Sequence, residues 1–297
     1  MNRTWMAGLA VLALVATRGA PAQDKPPPEK AEAAQTVKEK IESVRAEYQK
    51  AMTDFSTAYG QAKTNEERSK LFQAKYPNPS KYAARLLELA ESAPEDPAAV
   101  DALVFCVQQG RGSDAGRKAV ALLAKSHASN PKVGLLAGSL AFNAPAPDAE
   151  TLLKALAEKG ADRASKGQAT LGLGKFYNRC AELASMFKDN PGRVEQVKPF
   201  LKAEGLDEAA LKRFLDTDPD TFAKQAEGYF DRVVKDYADV SSGRMTLGKA
   251  AEGELNEIRN LGIGRPCPEI VGKDIDDKEF QLSDFKGKVV VDFWGDW

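Results

Sequence analysis

The chain has 297 residues, 42 Lys and Arg against 43 Asp and Glu, a formal charge of −1, one His and three Cys. Near-balanced charge gives no electrostatic pull toward a polyanion, which argues against a nucleic-acid partner. Apolar residues at 43% and charged residues at 29% describe a globular chain rather than a disordered one. Three Cys and one His do not supply a four-ligand zinc site with metal-binding spacing. Neither a GxGxxG fingerprint nor a complete GxxxxGK[S/T] phosphate loop occurs. We therefore expect no metal, nucleotide or flavin cofactor.

The N-terminus opens with Arg3, then an apolar run from Met6 to Ala16, then Ala20-Pro21-Ala22. A basic start, a short apolar centre and a small-x-small site are the layout of a signal peptide, expected over residues 1–22. Eleven helical residues rise only about 16 Å, half a hydrocarbon core, so a membrane span is not expected. Removing 1–22 takes Arg3 and Arg18 away and moves the net charge from −1 to −3. No Cys stands near the cleavage point to carry a lipid. The reading is an exported protein, periplasmic or extracellular. Residues 23–34 carry Pro26-Pro27-Pro28 among charges and read as an extended linker.

Residues 35–262 read as helical. Val37, Ile41, Val44, Tyr48, Met52, Phe55 and Tyr59 recur at steps of three and four, one narrow apolar stripe. A dimerising coiled coil and a hairpin folding back on Glu66 to Lys75 both fit this stripe; with only about three heptads, the hairpin is preferred. Tyr76-Pro77-Asn78-Pro79-Ser80 breaks the pattern, with Ser80 expected as the next N-cap. Asp96-Pro97, Asn130-Pro131 and Asp162 then open helices at spacings of 34 and 32 residues, with second helices expected over about 114–127 and 148–159. A two-helix unit of that period predicts a helical-hairpin repeat array, tetratricopeptide-like in architecture, offering a surface for a protein or peptide. Short helical pieces are expected over 190–217. Asp218-Pro219 opens a helix lined by Phe222, Ala226, Tyr229, Phe230, Val233 and Tyr237, and a last helix runs from Leu247 to Asn260, stopped by Gly262. Cys106 and Cys180 sit in apolar helical patterns and read as buried small hydrophobes; a disulfide between them is the alternative that export would permit. His127, the lone His, has no Ser, Cys or carboxylate cluster around it and is given no role.

After Gly262 the pattern changes to strand. Ile270-Val271 and Glu279-Phe280-Gln281-Leu282 flank a turn at Asp274 to Asp277, which predicts a β-hairpin. Ser283 to Lys288 reads as a short helical turn and loop. Val289-Val290-Val291-Asp292-Phe293-Trp294 reads as a central strand covered on both faces.

Ile263-Gly264-x-Pro266-x-Pro268, then Asp274-x-Asp276-Asp277-Lys278-x-Phe280-x-Leu282-Ser283-Asp284-Phe285-Lys286-Gly287-Lys288, then Val289 to Trp297, resemble the opening of a thioredoxin-like redoxin domain. That superfamily holds the exported TlpA/ResA-type thiol–disulfide oxidoreductases and the alkyl hydroperoxide reductase/thiol-specific antioxidant proteins. The resemblance implies that 263–297 is the truncated beginning of an α/β thioredoxin-like fold. It also implies a Trp-Cys-x-x-Cys active site, and the chain stops one residue before the first of those cysteines. No catalytic residue is therefore present, only the lead-in Trp294 and Trp297. Asp292 resembles the buried carboxylate that passes protons to the resolving cysteine in this superfamily; an exposed strand-end Asp is the plain alternative. Cys267, between Pro266 and Pro268, has no helix N-terminus and no basic partner beyond Arg265 to activate a thiolate. The peroxidase branch carries a Pro-x-x-x-Thr/Ser-x-x-Cys pattern after this strand, whereas Trp294-Gly295-Asp296-Trp297 has no Pro, which favours the dithiol branch. The implied partners are exported protein thiols and disulfides. A helical binding scaffold with a vestigial redoxin segment, and a peroxiredoxin-like peroxidase, stand as alternatives.

Overall fold

The computed structural model describes residues 35–287 except 204, 262–265, 267 and 286. The chain falls into two units, 1–35 and 36–297, and the described helices and strands all belong to the second. The segments expected as signal peptide and linker lie outside the described residues, as does the expected strand at 289–294.

The second unit is mainly α-helical. α1 (Val37–Gln61) starts on a capping box: the Thr36 hydroxyl accepts from Glu39 N–H and the Glu39 carboxylate accepts from Thr36 N–H. Its stripe buries Ile41, Val44, Tyr48 and Phe55, and α2 (Asn65–Lys75) folds back on it as a hairpin. α3 (Pro79–Ser92) buries Ala83, Leu86, Leu87 and Ala90, a spacing that makes one continuous face. Its cap is Asn78, not Ser80: Asn78 Oδ1 accepts from Ser80 N–H at 3.0 Å, because Pro79 occupies the first helical position and leaves Asn78 outside. Arg85 clamps α3 to α1 through two bonds to Glu47, at 2.6 and 3.1 Å.

α4 (Pro97–Gln109) and α5 (Asp114–Leu122), extended by a wider turn at Leu123–His127, form the next pair. The three expected openings are all helix N-termini, capped by Asp96, Asn130 and Asp162. The units they open differ in shape. After Asn130 the chain makes only α6 (Pro131–Gly134), α7 (Ala137–Leu140) and a 3₁₀ turn (Ala141–Asn143) before α8 (Pro147–Lys159). After Asp162 it makes α9 (Arg163–Asp189), a single helix of 27 residues.

α9 is the spine. α6, α7, α8, α10 (Gly192–Ala203), α11 (Glu208–Asp216), α12 (Pro219–Asp236) and α13 (Leu247–Asn256) all contact it. The closest approach is to α12. A Cβ on Gly174 would meet the Phe230 ring at 2.4 Å, so only glycine lets Phe230 lie against the α9 backbone. Phe230 and Phe176 are among the largest fully buried side chains. Arg163 ties the start of α9 to the end of α12 by two bonds to Asp239, at 2.7 and 2.9 Å, and one to the Asp236 carbonyl.

A two-residue hairpin, β1 (Ser241–Ser242) with β2 (Met245–Thr246), turns the chain into α13; nothing in the hydrophobic pattern announces it. Beyond Leu261, β3 (Val271–Lys273) pairs antiparallel with β4 (Glu279–Gln281), followed by a 3₁₀ turn at Leu282–Phe285. Among the described residues no helix is long and apolar enough to cross a membrane.

Candidate functional site

The segment carrying the redoxin resemblance is held by its own backbone. Val271 faces Gln281, Gly272 faces Phe280 and Lys273 faces Glu279. The turn closes with Asp274 N–H donating to the Lys278 carbonyl at 2.9 Å, and Asp277 N–H to the Asp274 carbonyl at 3.0 Å. Asp274 Oδ1 also accepts from the N–H groups of Asp276 and Lys278. A short carboxylate at the turn's first position satisfies donors that a tight turn leaves open. Asp277 takes φ 62, a left-handed conformation that Asp tolerates better than bulkier residues.

The 3₁₀ turn is laced back to the hairpin. Leu282 N–H donates to the Ile270 carbonyl at 2.9 Å, Gln281 N–H to Asp284 Oδ2 at 3.0 Å, and Ser283 N–H to Glu269 Oε1 at 2.9 Å. The bonds from Ser283 hold the Glu269 carboxyl below its ordinary range. Phe285 meets Phe280 edge-on, ring centres 6.0 Å apart. The apolar side chains are left in solvent: Val271 is 65% exposed, Ile275 99% and Phe285 55%. The expected hairpin and turn are thus in place. Asp292, Trp294, Trp297 and Cys267 lie outside the described residues.

The other two cysteines are out of reach of redox chemistry. Cys106 and Cys180 are both free and buried, so the disulfide weighed from sequence is not formed. Cys106 donates to the Ala83 carbonyl at 3.2 Å, and burial pushes its thiol up to about 12. Burial, reinforced by Glu150, pushes Cys180 up as well. Neither thiol supplies a thiolate near neutral pH.

Beside Cys180 lies a pocket of about 170 Å³ lined also by Glu150, Tyr177 and Arg213. The Tyr177 hydroxyl donates to Glu150 Oε1 at 2.5 Å, and Lys154 pairs with the same oxygen at 2.5 Å. Burial and then the Glu150 carboxylate push the Tyr177 hydroxyl up, so it stays protonated. Tyr229 stacks on Tyr177 at 5.6 Å and 7°. The cluster fastens α8, α9 and α12 together, and its acid already holds two partners.

One stretch that sequence reasoning missed spells a near phosphate loop: Gly243-Arg244-Met245-Thr246-Leu247-Gly248-Lys249, with Ala250 where a hydroxyl residue would be needed. Three of its backbone donors, those at the start of α13, are spent internally. Leu247 N–H bonds the Val240 carbonyl, Gly248 N–H bonds the Ala238 carbonyl, and Lys249 N–H bonds the Thr246 hydroxyl. The N–H groups of Leu247, Gly248 and Lys249 are therefore not open to a phosphate. His127 is half-buried on the turn after α5. Among the described residues no group of three His, Cys, Asp or Glu side chains is placed to hold a metal ion.

Compared with known proteins, the chain is 38% identical over 47 residues to the thiol–disulfide oxidoreductase ResA of Bacillus cereus (strain ATCC 10987 / NRS 248). The match covers 16% of this chain and 27% of that protein. No family model matches. No solved structure matches either.

Proposed function

We propose that this chain is part of an exported thioredoxin-like thiol–disulfide oxidoreductase. On this reading, residues 263–297 open the redox domain and residues 35–262 form a helical-hairpin scaffold that engages a protein or peptide. The observation that carries the reading is the hairpin, Asx turn and 3₁₀ turn at 270–285, in the order in which a redoxin domain begins. The 47-residue likeness to ResA supports it. The signal-peptide pattern of 1–22 supports export.

The chemistry would be dithiol exchange. A thiolate at a helix N-terminus, its pKa lowered by the helix dipole, attacks a substrate disulfide and expels one substrate thiolate. A second cysteine then attacks the mixed disulfide, oxidising the pair and releasing the reduced substrate. Asp292 would accept the proton that the second cysteine must lose to become a nucleophilic thiolate. The Cys-x-x-Cys pair is not among these 297 residues, so the 297-residue chain is expected to show no dithiothreitol-driven reduction of insulin above background. Turnover by it would place the redox centre at Cys267 and overturn the assignment.

The deciding experiment is to read the coding DNA past codon 297. An in-frame Cys-x-x-Cys followed by about 100 residues completes a small domain of this kind and supports the proposal. A peroxidase-type pattern there would move the chain to the antioxidant branch. A stop codon would leave the scaffold reading, which the buried core among the described residues, all of it within the helices and turns up to Leu255, favours.

A further inference from the structure

The α1–α2 hairpin carries a cluster of aromatic rings that stays partly in water. Phe55 is buried at its centre and touches Tyr59, Phe72 and Tyr76, at ring-centre distances of 5.5, 6.1 and 5.3 Å. Phe72 and Tyr76 also stack on each other at 4.7 Å. Tyr59, Phe72 and Tyr76 are 39%, 52% and 39% exposed, and α2 buries none of its 11 residues. A contiguous group of exposed rings marks an interaction surface. Two further features say what the surface takes. The Tyr59 and Tyr76 hydroxyls have no hydrogen-bond partner among the described residues, so each has a donor to offer. The cations beside the rings are unpaired as well. Arg68 lies over the Tyr59 ring, 5.9 Å from its centre, and neither Arg68 nor Lys75 meets a carboxylate among the described residues. The carboxylates of α2 are taken: Glu66 pairs with Lys70, and Glu67 accepts from the N–H groups of Lys63 and Thr64.

We propose that this face binds a proline-rich segment of a partner protein that carries acidic residues beside its prolines. A polyproline II chain presents apolar rings together with backbone carbonyls that have no internal hydrogen bond. The prolines pack on the exposed rings, the tyrosine hydroxyls donate to the carbonyls, and a carboxylate of the ligand meets Arg68 or Lys75. Each alternative fails on one feature. A helical ligand has spent its carbonyls on its own N–H groups. A strand ligand needs an open sheet edge, and this face is made of two helices. A second copy of the same face would set Arg68 and Lys75 against like charges. A single-stranded nucleic acid would stack on the rings, but a chain of charge −1 with two cations here lacks the basic groove that tracks its backbone. The proposal names the partner class for the scaffold half of the proposed function and rests on that half alone; the redox assignment does not depend on it.

The test is to titrate the full chain into three fluorescein-labelled peptides and read anisotropy: a twofold repeat of Glu-Pro-Pro-Pro-Glu, the same with Ala for Pro, and the same with Lys for Glu. The acidic proline peptide is expected to bind about tenfold more tightly than either of the others. Phe72→Ala is expected to weaken it about tenfold. Tyr76→Phe keeps the ring, removes only the hydroxyl and is expected to weaken it about fivefold. Arg68→Gln is expected to narrow the preference for the acidic over the lysine peptide. All three side chains are exposed, so the variants keep the fold, which circular dichroism checks. Equal binding of the alanine or the lysine peptide, or no binding of any, would overturn the proposal. So would tighter binding of labelled oligothymidylate, or sedimentation showing a dimer that Phe72→Ala dissociates. Binding of the acidic proline peptide that Phe72→Ala and Tyr76→Phe leave unchanged would also overturn it, while the scaffold reading would stand on another surface.

Discussion

The helical unit and the hairpin at 270–285 are both ordered by local rules, yet they differ in what becomes of their apolar side chains. In α3, α8 and α12 every stripe closes against another helix, and Leu86, Leu152 and Phe230 are fully buried. In the hairpin the backbone bonds are as complete, but Val271, Ile275 and Phe285 stay in water. Hydrogen bonds within a segment select its conformation and contribute little net stability, because water offers the same bonds to the open chain. Burial supplies the stability. The hairpin therefore has a shape without a core, and a two-stranded ribbon of this kind is marginal by itself.

Four substitutions sharpen that contrast, given from the largest effect to the smallest. Phe230→Ala empties the space over Gly174 and should cost about 3–5 kcal/mol in denaturant unfolding. Gly174→Ala forces a methyl group into the Phe230 ring and should cost about 1–3 kcal/mol by the same measurement. Asp148→Asn should act through pH. Burial raises the Asp148 carboxyl pKa, an effect that Arg117 partly opposes, so ionising it penalises the folded state. The penalty is absent below the unfolded value of about 3.9 and grows as pH rises through the higher folded value. The variant should melt with the parent at pH 3 and above it at pH 7. Glu47 and Asp239 have the opposite sign, since Arg85 and Arg163 lower their pKa values, and what they contribute is lost on acidification below about pH 4. Phe280→Ala, in the hairpin, should leave the unfolding midpoint within about 0.5 kcal/mol of the parent. A larger loss there would mean that the hairpin is buried against something and would break the comparison.

Helix starts were legible because capping is decided within a few residues. Asp96-Pro97, Asn130-Pro131, Asp162 and Asp218-Pro219 all read correctly, and Ser80 misled because Asn78 fits the same role ahead of Pro79. The hairpin was legible for the same reason, since Asp274 and Asp277 act on their own neighbours. The lengths of the units after Asn130 and Asp162 were not. They depend on which helices press on α9, a matter of tertiary contact that a 34-residue spacing does not record.

The glycines of α9 bear on the order in which the unit assembles. Gly167, Gly172 and Gly174 each make α9 about 1 kcal/mol poorer as a free-standing helix than alanine would. A 27-residue segment so disfavoured does not wait, preformed, for its neighbours; it becomes helical as α8 and α12 close on it. Assembly should then be concerted, with the centre forming last, and unfolding should proceed as one event. An array of self-sufficient repeats would instead unzip from its ends.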